Sequence, residues 1–169
     1  MALVVEDGTG LSTATGYETV AFFKEFCEVE GLVYFPYNVT KIEHAIQRAS
    51  RYLDTRFDFT GYRMVTTQAL EWPRSSAYYN DGRIASGVPI EVKEACAFYA
   101  HYSLSARLTP NPTYDESGSR VVRKREKVGP IEVDIEFGDA GRQPTFRKYP
   151  EADRRIKELV TTGRRLLRA

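Results

Sequence analysis

At 169 residues, with 42% hydrophobic and 28% charged content and a net charge of +1, the chain has the length and composition of one globular domain able to bury a real core. So balanced a charge excludes a chain that is basic throughout, as a non-specific nucleic-acid binder would be, and excludes an acidic solvating tail. No apolar run approaches a membrane span and the start, MALVVEDGTG, has no basic n-region, so the expectation is a protein made in the cytoplasm and neither secreted nor membrane-inserted.

The first helical pattern runs from about Thr15 to Glu30, with Tyr17, Val20, Ala21, Phe23, Phe26 and Cys27 on a broad apolar face and Gly31 as its stop. The second opens at Thr40 and Glu43, a capping-box spacing, and continues through Ile42, Ala45, Ile46, Ala49, Tyr52 and Leu53. A long segment, Arg56 to Val88, follows, with a turn at Asn80-Asp81-Gly82. A connection of this length is expected to be functional or ordered from outside the domain. The third helix begins at Pro89 and is apolar nearly all round after Glu94, which marks it as the central, most buried helix.

After the loop TPNPTYDESGS, the stretch RVVRKREKVGPIEVDIEF reads as a two-stranded hairpin turning at Val128-Gly129-Pro130-Ile131. With Val128 facing Ile131, Lys127 opposes Glu132, Arg125 opposes Asp134 and Arg123 opposes Glu136. Val122 would then face Phe137. Ile131, Val133, Ile135 and Phe137 share one face, and burying them is worth about 1.5–3 kcal/mol each if a surface receives them. A lone hairpin is marginal in water, so that surface is either this chain's helices or a neighbouring copy. The last pattern, YPEADRRIKELVTTGRRLLRA, is a fourth helix with a thin apolar stripe of Ile156, Leu159, Val160 and Leu167. Flanked by Arg154, Arg155, Arg164 and Arg165, it is expected to dock on another molecule. From Arg142 onward nine basic residues stand against three acids, which makes the tail +6 and leaves −5 for the rest.

Little in the chain suggests catalysis. His44 and His101 lie on different helices without metal-ligand spacing, and Cys27 and Cys96 read as buried small hydrophobes. Asp54 and Asp58 read as surface charges, and EDGTG as a turn. No enzyme, cofactor or metal is expected. RFDFTGYRM interleaves Phe57, Phe59 and Tyr62 with Arg56 and Arg63, which has the composition of a base-stacking platform or of a core corner.

The strings MALVVEDGTGL, YLDTRFDFTGYR, QALEWPR, IEVKEACAFYA, REKVGPIEVDIEF and YPEADRRIKEL, in that order over nearly the whole chain, resemble a family of tailed-phage and prophage proteins. That family is labelled DnaT-like single-stranded-DNA-binding, and it is similar to phage head–tail connector (adaptor) proteins. Ala14-Thr15-Gly16-Tyr17 departs from the Ala-Asn-Ser-Tyr expected there. The resemblance implies a virion structural protein at the neck, a subunit of a homo-oligomeric, dodecameric ring. It would dock on the portal protein, meet a downstream neck or tail-completion protein, and continue a channel through which genomic DNA passes without sequence-specific binding. The hairpin residues Val122, Arg123, Arg125, Lys127, Ile131, Val133, Ile135 and Phe137 would form a subunit interface. Arg154, Arg155, Ile156, Leu159, Val160, Arg164, Arg165 and Leu167 would dock on portal or neighbour, and Trp72, Pro73 and Arg74 would anchor the long segment. The alternative is a single-stranded-DNA-binding accessory protein of phage replication. The expected fold is mainly α, a helical bundle with a long inserted loop, a two-stranded β-hairpin and a C-terminal docking helix. It divides into 1–108, 109–147 and 148–169 within one domain overall.

Overall fold

A computed structural model describes residues 2–109, 121–127, 132–137 and 148–161, with the backbone alone in the two middle stretches. The fold is mainly α, with three small antiparallel ribbons among the described residues. The chain divides into two compact units, 1–108 together with 148–169, and 109–147.

Helix α1 (Val20–Val29) starts later than its apolar pattern suggests. Residues 14–16 are taken into extended structure, where the Val4 carbonyl accepts the N–H groups of Thr15 (2.7 Å) and Gly16 (3.1 Å). Thr19 then caps α1, its hydroxyl accepting the Phe22 N–H at 3.1 Å. Gly31, at φ +67°, lies just past the helix as expected, and the Leu32 N–H reaches back to the Cys27 carbonyl at 2.7 Å. Helix α2 (Val39–Arg56) begins before the Thr40–Glu43 pair, because the Asn38 side chain accepts the Lys41 N–H at 2.9 Å and supplies the cap itself.

Helix α3 (Ile90–Ser105) is the central helix, with Val92, the run Ala95 to Ala100, Ser103 and Leu104 buried as it packs on α1, α2 and α4. Helix α4 (Pro150–Ile156) is far shorter than the C-terminal pattern suggests. The chain turns after Ile156, Val160 bridges to Phe59, and the Thr161 N–H binds the Asp58 carbonyl at 2.8 Å.

This corrects the docking expectation for two residues. Ile156 and Leu159 are fully buried in the chain's own core. A thin stripe suffices because aromatic and ionic contacts do the rest. The Tyr149 ring packs on Tyr52, Tyr99 and Tyr102 at 6.1, 5.6 and 4.9 Å, and Asp153 receives Arg56 at 2.7 Å and the Tyr99 hydroxyl. Residues 148–161 belong to the helical body. Arg164, Arg165 and Leu167 lie outside the described residues.

In the second unit, strands β5 (Val121–Lys127) and β6 (Glu132–Phe137) pair antiparallel. The register places Arg123 opposite Glu136, Arg125 opposite Asp134 and Lys127 opposite Glu132, as the charge pattern requires. An irregularity between Val121 and Arg123 puts Val121, in place of Val122, opposite Phe137. The turn at Val128–Ile131 lies outside the described residues.

Leu159→Ala is expected to lower stability by about 2–5 kcal/mol, as a core truncation does, whereas exposed Arg154→Ala changes it by less than about 0.5 kcal/mol. Urea unfolding of the two variants checks this; equal, small effects would return the C-terminal segment to the surface.

Candidate nucleic-acid interface

The segment between α2 and α3 lacks the helical period and is held by buried polar contacts instead. Trp72 is fully buried and meets the Phe59 ring edge-on at 5.6 Å. Its backbone N–H donates to the Tyr17 hydroxyl at 3.2 Å, and that hydroxyl donates to Asp54. The other oxygen of Asp54 accepts the Glu71 N–H at 3.2 Å. The Trp72–Pro73 peptide is cis. Buried Gln68 donates to the carbonyls of Leu70 (2.7 Å) and Pro73 (3.1 Å).

Arg74 is the second clamp. Its Nε donates to the Thr60 carbonyl at 2.7 Å, Nη2 to the Gly61 carbonyl at 2.7 Å, and Nη1 to the Glu71 carboxylate. The Trp72 and Glu71 N–H groups thus tie the segment to Tyr17 and to Asp54 of α2, while Pro73 and Arg74 bond within the segment and brace it internally. The described contacts that order the segment come from inside the chain, which leaves, of the two expectations for so long a connection, a functional role in place of ordering from outside the domain.

The clamp sets out two short ribbons. Strand β1 (Tyr62–Arg63) pairs with β2 (Arg74–Ser75), and β3 (Ala77–Tyr78) pairs with β4 (Ile84–Ala85). They lie close: the Thr60 hydroxyl donates to the Tyr78 carbonyl at 3.2 Å. Gly61, at φ +75°, is required between them, since a Cβ there would run into the Ser75 carbonyl oxygen and sit 2.7 Å from the Ala77 nitrogen.

The expected stacking platform is therefore split. Phe59 belongs to the core and Phe57 is half-buried, while Arg56 is engaged by Asp153 and packs over Tyr52 and Phe57. Tyr62 (75% exposed), Met64, Tyr78 and Ile84 (69% exposed) face solvent. Arg63 binds Glu71 (Nε to Oε1, 3.0 Å), and Arg83 lies 4.5 Å over the Tyr79 ring while binding Asp81. Tyr78, Arg83 and Ile84 were not among the expected platform residues. Their signal is the Asn80-Asp81-Gly82 turn, preceded by Tyr78-Tyr79 and followed by Arg83-Ile84.

The remaining expected features are placed as follows. The EDGTG glycines form a turn closed on Glu6, whose carboxylate accepts the N–H groups of Gly8 (3.0 Å), Gly10 (2.8 Å) and Leu11 (2.9 Å), filling with its own charge the place an anion would take. His44 is exposed, and His101 is half-buried with Nε2 at 3.1 Å from the Val33 carbonyl oxygen. No cluster of three potential metal ligands occurs among the described residues. Arg155 is held by Glu94 (2.9 Å) and Glu30 (2.5 Å) beside a cleft of about 440 Å³, which Arg154 also lines.

A family model described as "Putative DnaT-like ssDNA binding protein" matches residues 1–169. The chain belongs to this family. Searches of curated proteins and of solved structures gave no match. Membership of the DnaT-like family agrees with the first of the two labels carried by the sequence resemblance and gives no support to the connector identity.

Asp54 is a correction to its reading as a surface charge. Burial is the main cause that raises its pKa to about 6, against the opposing hydrogen bonds from Tyr17 and Glu71. The folded chain keeps this proton where the unfolded chain, at the usual carboxylate value near about 4, has lost it. The stability this contributes is full below that usual value and is lost as pH rises through about 6. Glu18 acts in the same direction: it is buried, and burial holds its pKa well up. Asp54→Asn should therefore flatten, without abolishing, the fall in melting temperature between pH 4 and pH 6, roughly the span between the usual and shifted values. A parent and variant with identical pH profiles by circular dichroism would remove Asp54 from the buried network.

Proposed function

We propose that the chain binds single-stranded DNA, with bases stacking on Tyr62 and Tyr78 and the phosphate backbone running beside Arg63 and Arg83. The observation that carries this is the exposure of two tyrosines on ribbons whose backbone is fixed by Arg74 and Trp72, in a chain that belongs along its whole length to the DnaT-like family. Every base offers a π-face, so such a platform binds without sequence preference. Arg63 and Arg83 are already paired with Glu71 and Asp81, so a phosphate must compete with those carboxylates. Affinity is accordingly modest and falls steeply with salt.

Fluorescence anisotropy with a labelled oligothymidylate at low salt tests it. Tyr62→Ala and Tyr78→Ala should each weaken binding by about tenfold or more, as loss of a stacked base does, while leaving the melting temperature unchanged. An affinity indifferent to both substitutions, or no binding at low salt, overturns the proposal.

A second reading is favoured by a different observation, the separate compact unit at 109–147. Its ribbon pairs two strands, and neither has a further strand partner among the described residues. In this reading the chain is a head–tail connector, a virion structural protein at the neck. It would assemble as a homo-oligomeric ring on the portal protein, meet a neck or tail-completion protein below, and let genomic DNA pass without base-specific contact. Particles assembled without the protein should then be filled heads lacking tails, and purified virions should contain it. Its absence from virions overturns this reading and leaves the first standing.

A further inference from the structure

Among the described residues other than glycine, Ser76 alone has a positive φ, +53°. An L side chain in that region brings its Cβ against the following carbonyl oxygen, so the conformation persists only where the surrounding chain imposes it. Ser76 itself is exposed, and its neighbours hold it there. On one side Ser75 pairs with Tyr62; on the other Ala77, fully buried, pairs with Ala85. Ser76 is the single residue between β2 and β3, a corner pinned at both ends.

The two ribbons that meet at this corner are anchored separately. Arg74 holds the first through the carbonyls of Thr60 and Gly61. The second is held by buried Ala77 and Ala85 and by the Tyr79 hydroxyl, which donates to Glu91 of α3 at 2.9 Å. Thr60 joins them across the corner. Its N–H is bound to the Leu159 carbonyl at 3.0 Å and its carbonyl to Arg74 at 2.7 Å, while its hydroxyl reaches the Tyr78 carbonyl at 3.2 Å. Tyr62 pairs with Ser75, and Tyr78 follows three residues on, so the Cα atoms of the two tyrosines are at most about 16 Å apart. About five stacked nucleotides of one strand cover that distance.

We infer that Ser76 and Thr60 are positioning residues, which fix the spacing of Tyr62 and Tyr78 so that one single strand stacks on both at once. The inference rests on the DNA reading above and adds to it that the ligand is held at two coupled points. Once one base is stacked, the second contact is made within the complex, and its gain depends on the spacing being held. A corner set before the strand arrives does not have to be ordered on binding, which is the use of a backbone conformation that the chain adopts nowhere else outside glycine among the described residues.

The test is the affinity of labelled oligothymidylate at low salt, by fluorescence anisotropy, in a double-mutant cycle. Thr60→Val keeps the branched shape and both backbone bonds but loses the hydroxyl. A Gly-Gly insertion after Ser76 lengthens the corner between ribbons that keep their own anchors. Each should weaken binding by about tenfold or more in the parent, and by little when Tyr78 is already alanine, because the second contact is then gone. Tyr78→Ala leaves in place the carbonyl that Thr60 binds. Thr60→Ser, which restores the hydroxyl, and Ser76→Asn, which tolerates a positive φ, should bind as the parent does. Circular dichroism matching the parent's certifies each fold. An affinity unchanged by both Thr60→Val and the insertion, or a loss of equal size with and without the Tyr78 ring, overturns the inference and leaves the DNA reading in place. A parent that does not bind oligothymidylate overturns both.

Discussion

The buried relay from the Trp72 N–H through the Tyr17 hydroxyl to Asp54, closed by the Glu71 N–H, is the constraint on which the rest of the helical body depends. It ties together three pieces of chain, the extended stretch before α1, the last turns of α2, and the long segment between α2 and α3, beside the bonds from the Tyr17 N–H to Ser50 and from the Ala69 N–H to the Leu11 carbonyl. The Trp72 N–H and the Tyr17 hydroxyl are withdrawn from water and Asp54 is partly so, and a buried group that loses its hydrogen bond is left unsatisfied. That requirement fixes the segment's path more narrowly than apolar packing could, since apolar contacts tolerate sliding and a hydrogen bond does not. Arg74 then passes this rigidity outward to the carbonyls of Thr60 and Gly61, and so to the strands that present Tyr62 and Tyr78.

How much of this was legible in the sequence depended on the range of the interaction. Helices α2 and α3 were readable because their apolar positions repeat at helical spacing, and the hairpin register was readable because three opposite charges fall into line only one way. The start of α1 was not, since Thr15 and Gly16 fall in the helical pattern but spend their N–H groups on the Val4 carbonyl, eleven and twelve positions back along the chain. The C-terminal segment was misjudged for a related reason. Its thin stripe looked too weak for a core, but its burial rests on Asp153 meeting Arg56 and Tyr99, which no local pattern encodes. Asp54 passed for a surface charge because Tyr17 and Glu71, which enclose it, are distant in sequence. The stacking platform was half right in composition: alternation alone does not say which aromatic side chain turns inward, and Phe59 turned inward while Tyr62 did not.

The helical body exposes both aromatic and aliphatic side chains, and the 109–147 unit adds a ribbon. Tyr62 and Tyr78 suit flat, planar ligands, whereas a two-stranded ribbon suits polypeptide. Family membership bears on the first of these. The two are compatible in one molecule because the surfaces are made by different elements.

The two cysteines have a practical consequence. Cys27 and Cys96 are both buried free thiols; burial pushes the first up to about 12 and holds the second well above its ordinary value. Alkylating reagents attack the thiolate, so at neutral pH both sulfurs are silent in the folded molecule. A cysteine introduced at an exposed position would therefore be the single reactive handle for a fluorophore or spin label, and distances between copies or along a bound strand could be measured on the otherwise native chain.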